Sequence, residues 1–238
     1  MSWLSPFPPR APTRYPRRFP KTVVGSMVGR PNQVLNLPMH EGAGATVRDL
    51  SGCGNHGVLR GGILWVDGSH GWALRFNGTD TYVEIPHSAV LEPTDFALSL
   101  WVYPTAYGAM RAIVAKRTSA YNGYFIFYHT TTNTINWDWG GYPYRWDTGY
   151  LPPLNAWTHL AFVRDSTGRY LYVNGTLRSS TTDAGGSVAS GSVLRIGADT
   201  YALQYFFSGI IAKVHMYSRA LGSDEVRAIY EKEKALFA

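Results

Sequence analysis

From about residue 34 onward the chain alternates apolar with small or polar residues at a period of two, and Gly, Asn and Asp interrupt the alternation at short intervals. Successive side chains of a β-strand point to opposite faces, so this pattern encodes short strands joined by tight turns. In the clearest segment Phe96, Leu98, Leu100 and Val102 form one face, while Ala97, Ser99, Trp101 and Tyr103 form the other. Neither face is charged, and both are expected to be covered. Similar segments lie at 81–85, 111–115, 123–128, 157–164 and 169–173, the last followed by Asn174-Gly175. That dipeptide favours a type I′ hairpin, which needs positive φ at both central positions. Many short strands at this spacing predict an antiparallel sandwich. One helix is predicted, over roughly 224–235, with Ser223 as N-cap, Asp224 and Glu225 at the positive end of the dipole, and Val226, Ile229 and Tyr230 on one face.

Composition supports this reading. Of 238 residues, 14% are aromatic and 16% charged, with 25 Gly and 14 Pro, which argues against a helical bundle. A single cysteine, Cys53, allows neither an intrachain disulfide nor a Cys-rich zinc site, so a hydrophobic core must supply stability. No apolar run approaches the ~18–20 residues of a membrane-spanning helix. Pro6, Pro8 and Pro9 interrupt the N-terminus before an apolar signal-peptide core could form, so neither a span nor a secretory signal is expected.

The net charge of +6 is unevenly placed. Arg10, Arg14, Arg17, Arg18, Lys21 and Arg30 all precede Glu41, the first acidic residue. Six of the 22 basic residues therefore lie at the N-terminus, leaving 16 basic against 16 acidic residues in a formally neutral body. This disfavours nucleic-acid binding by the body, although the arm alone could touch phosphates. Seven prolines between positions 6 and 31 exclude a helix there, so residues 1–33 are expected to form an extended basic arm, and 34–238 the folded domain. Trp3, Phe7, Tyr15 and Phe19 alternate with Arg10, Arg14, Arg17 and Arg18. Such an arm could anchor on a neighbouring protein subunit through apolar notches and guanidinium forks.

An ordered series of short blocks runs through the body: Asp49-Leu-Ser-Gly52, Asn55-His-Gly57, Gly71-Trp-Ala-Leu-Arg-Phe-Asn-Gly78, Tyr82-Val-Glu-Ile-Pro86, Leu98-Ser-Leu-Trp-Val-Tyr-Pro104, Trp157-Thr-His-Leu-Ala-Phe-Val-Arg164, Leu171-Tyr-Val-Asn-Gly175 and Phe207-Ser-Gly-Ile-Ile-Ala212. Over roughly 34–232 the chain resembles the laminin-G-like, concanavalin A-like jelly-roll family. The resemblance implies an all-β, two-sheet antiparallel jelly-roll sandwich with an extended N-terminal arm and a short C-terminal helix. It also implies a structural Ca²⁺ at the sandwich rim, held by Asp49 and Asp80 with Asn55 as an amide ligand, a donor set that suits a hard cation. The competing reading makes Asp49 a turn residue that caps its own loop.

Catalysis finds no constellation. Retaining glycoside hydrolysis needs two carboxyl groups about 5–5.5 Å apart, yet Asp138 is the only acid of its strand-like stretch, Asp147 lies in a loop, and Glu84 has only Asp80 nearby. The seven histidines show no metalloprotease spacing, and neither a nucleophile elbow nor a phosphate loop occurs. Asn77-Gly-Thr79 and Asn174-Gly-Thr176 match a glycosylation pattern but read as hairpin turns. The strongest surface signal is Trp137-Asp-Trp-Gly-Gly-Tyr-Pro-Tyr-Arg-Trp146. Three readings stand side by side: a glycan site in which rings stack on sugars, a protein contact through Tyr142, Tyr144, Arg145 and Trp146, or a core strand in which Ile135, Trp137 and Trp139 face inward.

The expectation is thus a non-enzymatic structural or binding protein. Its first form is a virion component, a phage head decoration or tail protein anchored to neighbouring subunits by the arm. Its alternative is a carbohydrate-binding, lectin-like module that meets host or environmental glycans outside the cell. Neither form inserts into a membrane.

Overall fold

The computed structural model describes residues 31–68 and 71–238. The arm residues Trp3, Phe7, Arg10, Arg14, Tyr15, Arg17, Arg18 and Phe19 fall outside this range. The described chain begins with β1 (Gln33–Leu37), β2 (Thr46–Val47), β3 (Gly57–Arg60), β4 (Leu64–Gly68), β5 (Gly71–Asn77) and β6 (Tyr82–Ile85). It continues through β7 (Phe96–Pro104), β8 (Arg111–Lys116), β9 (Tyr124–His129), β10 (Thr134–Trp139) and β11 (Arg145–Asp147). The remaining strands are β12 (Thr158–Asp165), β13 (Gly168–Val173), β14 (Thr176–Thr181), β15 (Leu194–Ile196) and β16 (Ser208–Tyr217), before helix α1 (Ser223–Glu233).

Two antiparallel sheets form the sandwich. The first runs β14-β13-β12-β7-β16-β5-β4, with β1 beside β5 along the same edge of β16. The second runs β11-β10-β9-β8-β15-β6-β3-β2. Sequence-distant strands meet at both centres, as a jelly roll requires: β7 pairs β16, and β8 pairs β15. The core between the sheets takes Phe96, Leu98, Leu100 and Val102 from β7, the face expected to be buried. From the second sheet it receives Val83, Val114, Tyr124, Ile126, Ile135, Trp137 and Trp139.

Turn chemistry follows the sequence. Asn174 and Gly175 adopt φ of 48° and 76° and join β13 to β14 as a positive-φ pair. At the start of β16, Gly209 takes φ 145°, and a Cβ there would lie 2.3 Å from the Tyr103 carbonyl oxygen, so only glycine permits this pairing of β16 with β7. The Asn77 side chain accepts from the backbone N–H groups of Thr79 and Asp80, which makes Asn77-Gly78 the turn it was expected to be.

The helix starts slightly earlier than expected. Gly222 is the N-cap and Ser223 the first helical residue. The Glu225 carboxylate, itself forked to Arg219, accepts from the Gly222 backbone N–H at 3.0 Å and takes over the capping that Ser223 was expected to perform. Val226 and Ile229 pack on Ala97, Ala161 and Tyr217 of the first sheet. Trp101 stacks on Phe237 at 4.0 Å and donates to Glu233 at 2.9 Å, while Glu233 also pairs with His215. The helix and the turn after it therefore cover the central outer face of the first sheet.

Candidate functional site

The second sheet presents different chemistry on its outer face. In β9, Tyr124 and Ile126 point into the core, so Phe125 and Phe127 point outward, opposite Ala115 and Ala112 of β8. The two phenyl rings stack with centroids 4.1 Å apart and planes 8° from parallel. Small neighbours on β8 leave the rings room to lie against the sheet.

Two arginines roof this platform. The Arg117 guanidinium carbon sits 4.0 Å from the Phe125 centroid, and Arg145 lies 5.0 Å from Phe127 and 4.6 Å from Tyr142. Each is held flat by a carboxylate fork. Arg117 Nε and Nη2 donate to the two oxygens of Asp199 at 2.8 and 2.6 Å, and Arg145 uses the same two atoms on Asp138 at 2.8 Å each. Burial works against the Arg145 charge, but the Asp138 fork outweighs it and raises the Arg145 pKa. Farther along the face Arg195 donates to Glu84 and rests over Tyr82.

Three loops bring exposed aromatics to the rim. The 199–206 loop is pinned to β8 by Ala112 N–H to Tyr205 O at 2.6 Å, and its Thr200 hydroxyl bonds both the N–H and the carbonyl of Arg117. The loops holding Tyr121 and Tyr142 are tied by Tyr142 N–H to Ala120 O. Tyr121, Tyr142 and Tyr201 are 71, 56 and 54% exposed. Exposed phenol planes beside fixed guanidinium donors and carboxylate acceptors suit a ring that offers C–H faces and hydroxyl edges.

The aromatic stretch divides along its alternation. Ile135, Trp137 and Trp139 are buried in the core, as the third reading held. Tyr142 and Arg145 belong to the outer face. Trp146, a contact candidate in the sequence, lies half-buried against the core, 6.2 Å from Trp137, because it alternates with outward-facing Arg145 and Asp147. Tyr144 rests on Gly186, and its carbonyl accepts from the buried Arg169.

The structure does not assemble the rim site expected for calcium. Asp49 accepts from Asn36 N and Ser51 N through one oxygen, and from Ser51 Oγ and Asn55 N through the other, all between 2.7 and 2.9 Å. These four donors fill its carboxylate as a turn residue. Asn55 spends its amide on Val34 O next to the Gly57 end of β3, whereas Asp80 lies against Gly61 beyond the opposite end of that strand. Among the described residues no three His, Cys, Asp or Glu side chains cluster as a metal site.

Against the expectation that Asp138 stands without a second acid, it has a carboxylate neighbour across the strands. Asp138 and Asp147 are outward-facing diagonal neighbours on β10 and β11, a proximity hidden by the loop between them. Both Asp138 oxygens are engaged by Arg145, however, so Asp138 is poorly placed to hand a proton to a leaving group. Asp147 accepts from the Thr134 hydroxyl and Gly149 N–H.

Residues 77–227 match the sequence profile of a family described as the concanavalin A-like lectin/glucanases superfamily. No curated protein matches the chain. Among solved structures it is similar to domain 4 of AbnA, a GH43 extracellular arabinanase from Geobacillus stearothermophilus, in complex with arabinotriose. The TM-score is 0.66 at 19% identity, over 84% of this chain and 98% of that one. It is also similar to the binding domain of Paraclostridial Mosquitocidal Protein 1, with TM-score 0.68 and 18% identity over 84% of this chain and 52% of that one. The binding domain of Botulinum neurotoxin DC, solved with rat synaptotagmin II, gives TM-score 0.65 and 12% identity over 84% and 51%. The chain thus spans about half the length of these two toxin domains, and at such identities the likeness is one of fold.

Proposed function

The chain belongs to the concanavalin A-like lectin/glucanase superfamily, and from that premise we propose that it is a non-catalytic glycan-binding module whose ligand lies across the outer face of the second sheet. The observation that carries this reading is the Phe125–Phe127 platform roofed by Arg117 and Arg145 and rimmed by exposed tyrosines. The opposite outer face is occupied by α1, which leaves this one for a ligand. The similar arabinanase domain, solved with arabinotriose, is consistent with sugar binding on this fold. In the same proposal the arm, which holds the excess positive charge, would attach the module to neighbouring subunits of a larger assembly such as a virion.

A glycan array probed with the full chain tests the reading. The double substitution Tyr142→Ala with Tyr201→Ala removes two exposed ring faces, each worth about 0.5–1.5 kcal/mol in a stacked contact, and should weaken array binding about 5- to 150-fold. Unchanged binding in the double variant would remove the ligand from this face.

A further inference from the structure

We propose that the ligand is an uncharged glycan whose hydroxyls are read by the Nη1 corners of Arg117 and Arg145; this deepens, and rests on, the glycan-binding reading. Both guanidinium groups spend their Nε–Nη2 edge on a carboxylate. Among the described residues neither Nη1 has a hydrogen-bond partner, and neither is sealed from solvent. Arg117 is otherwise buried, with 7% of its side chain exposed, so a costly, immobilised cation keeps one pair of N–H donors unused. A planar donor corner fixed over an aromatic ring is preorganised to bond a hydroxyl oxygen without further loss of side-chain freedom.

Charge balance sets the ligand class. Arg117 is matched by Asp199 and Arg145 by Asp138, Arg195 and Arg60 share Glu84, and exposed Asp147 adds a carboxylate two residues from Arg145, so these four cations meet four carboxylates. A sulfate or carboxylate on a sugar would lose hydration here and find no uncompensated cation. A hydroxyl loses far less and gains a charge-assisted bond. The chain as a whole is basic, which by itself would suggest acidic ligands, but that excess lies in the arm and not at this face.

The test measures full-length protein against matched panels of neutral oligosaccharides and of sulfated, sialylated or uronate-bearing ones, at about 50 and about 200 mM salt. Arg145→Lys keeps the charge but loses the fork and its free corner. The expected result is a neutral sugar whose affinity changes less than twofold with salt and falls at least tenfold in Arg145→Lys. Acidic sugars held by the arm should release steeply with salt and be indifferent to the substitution. Should Arg145→Lys fail to fold by circular dichroism, the surface variant Tyr142→Ala reads the same contrast. Acidic-glycan binding that drops in either variant would overturn the proposal while leaving the face as a glycan site. Absence of binding to both panels would overturn the glycan reading itself, and this proposal with it.

Discussion

Trp139→Ala is expected to destabilise the protein by about 3–5 kcal/mol, the range for truncating a buried tryptophan. Its ring lies 4.8 Å from Phe96 and stacks on Tyr124 at 5.4 Å, with Trp137 edge-on at 5.7 Å. Removing it opens a void between the sheets that the paired strands cannot close. Since domains of this kind are stable by only about 5–15 kcal/mol, such a loss should bring the urea midpoint down by a large fraction. Tyr142→Ala, three residues later and exposed, should stay within about 0.5 kcal/mol of the parent. Equal effects of the two substitutions would mean that the strand and the loop after it are not divided between core and surface as described.

Acid should weaken the fold well before its carboxylates titrate. His159 is fully buried beneath α1, and burial pushes its pKa down from 6.5 to about 4. Nε2 bonds the Ser99 hydroxyl at 2.8 Å while Nδ1 has no hydrogen-bond partner among the described residues, so the folded state holds the neutral ring. Between these values the unfolded chain binds a proton that the folded chain refuses, and stability therefore falls as the pH drops through 6.5 and levels off near 4. At ~1.36 kcal/mol per pH unit, the loss attributable to this one residue is about 3 kcal/mol. Glu92 operates lower: burial alone would raise its pKa, but hydrogen bonds from Lys116 and Ser190 override this and hold it at about 2. Its contribution is present above about 4.5 and is lost from there down towards 2. Denaturant titrations at pH 7, 5.5 and 4.5 separate the two groups, and His159→Gln should flatten the upper part of the profile. A parent protein equally stable at pH 7 and 4.5 would show that His159 accepts its proton in the folded state.

The contrast between what was legible and what was not has a physical basis. Alternation at 96–103 placed both faces of β7 correctly because period two is a local property of one strand. Asn174-Gly175 revealed its hairpin for the same reason. At Trp137, alternation offered the inward reading but could not choose it, since tryptophan suits a sugar platform as well as a core. The signal for the site was present in β9, where Tyr124 to Tyr128 is apolar on both faces, and a strand covered on both sides needs something to cover its outer side. What covers it could not be found by spacing: Arg117 and Asp199 are 82 positions apart and meet only because β8 pairs β15. Asp49 and Asp80 show the converse, motif matches that spacing alone does not bring together. They belong to motif-matched turns, but β3 holds those turns at its two ends. The helix cap moved by one residue because Glu225 reaches back to the Gly222 N–H, and this carboxylate stands at N3 only when Gly222 is the cap, since a Ser223 cap would put Val226 there.

The most direct test of the glycan-binding face is a titration of uniformly ¹⁵N-labelled protein with a sugar identified on the array, following backbone amide shifts. Binding as described should move the amides of 117–123, 140–147 and 199–206 together, with one dissociation constant, and leave α1 and the Asp49–Asn55 turn unchanged. Shifts that instead centre on α1 and the outer face of the first sheet, with the three tyrosine-bearing loops silent, would contradict it.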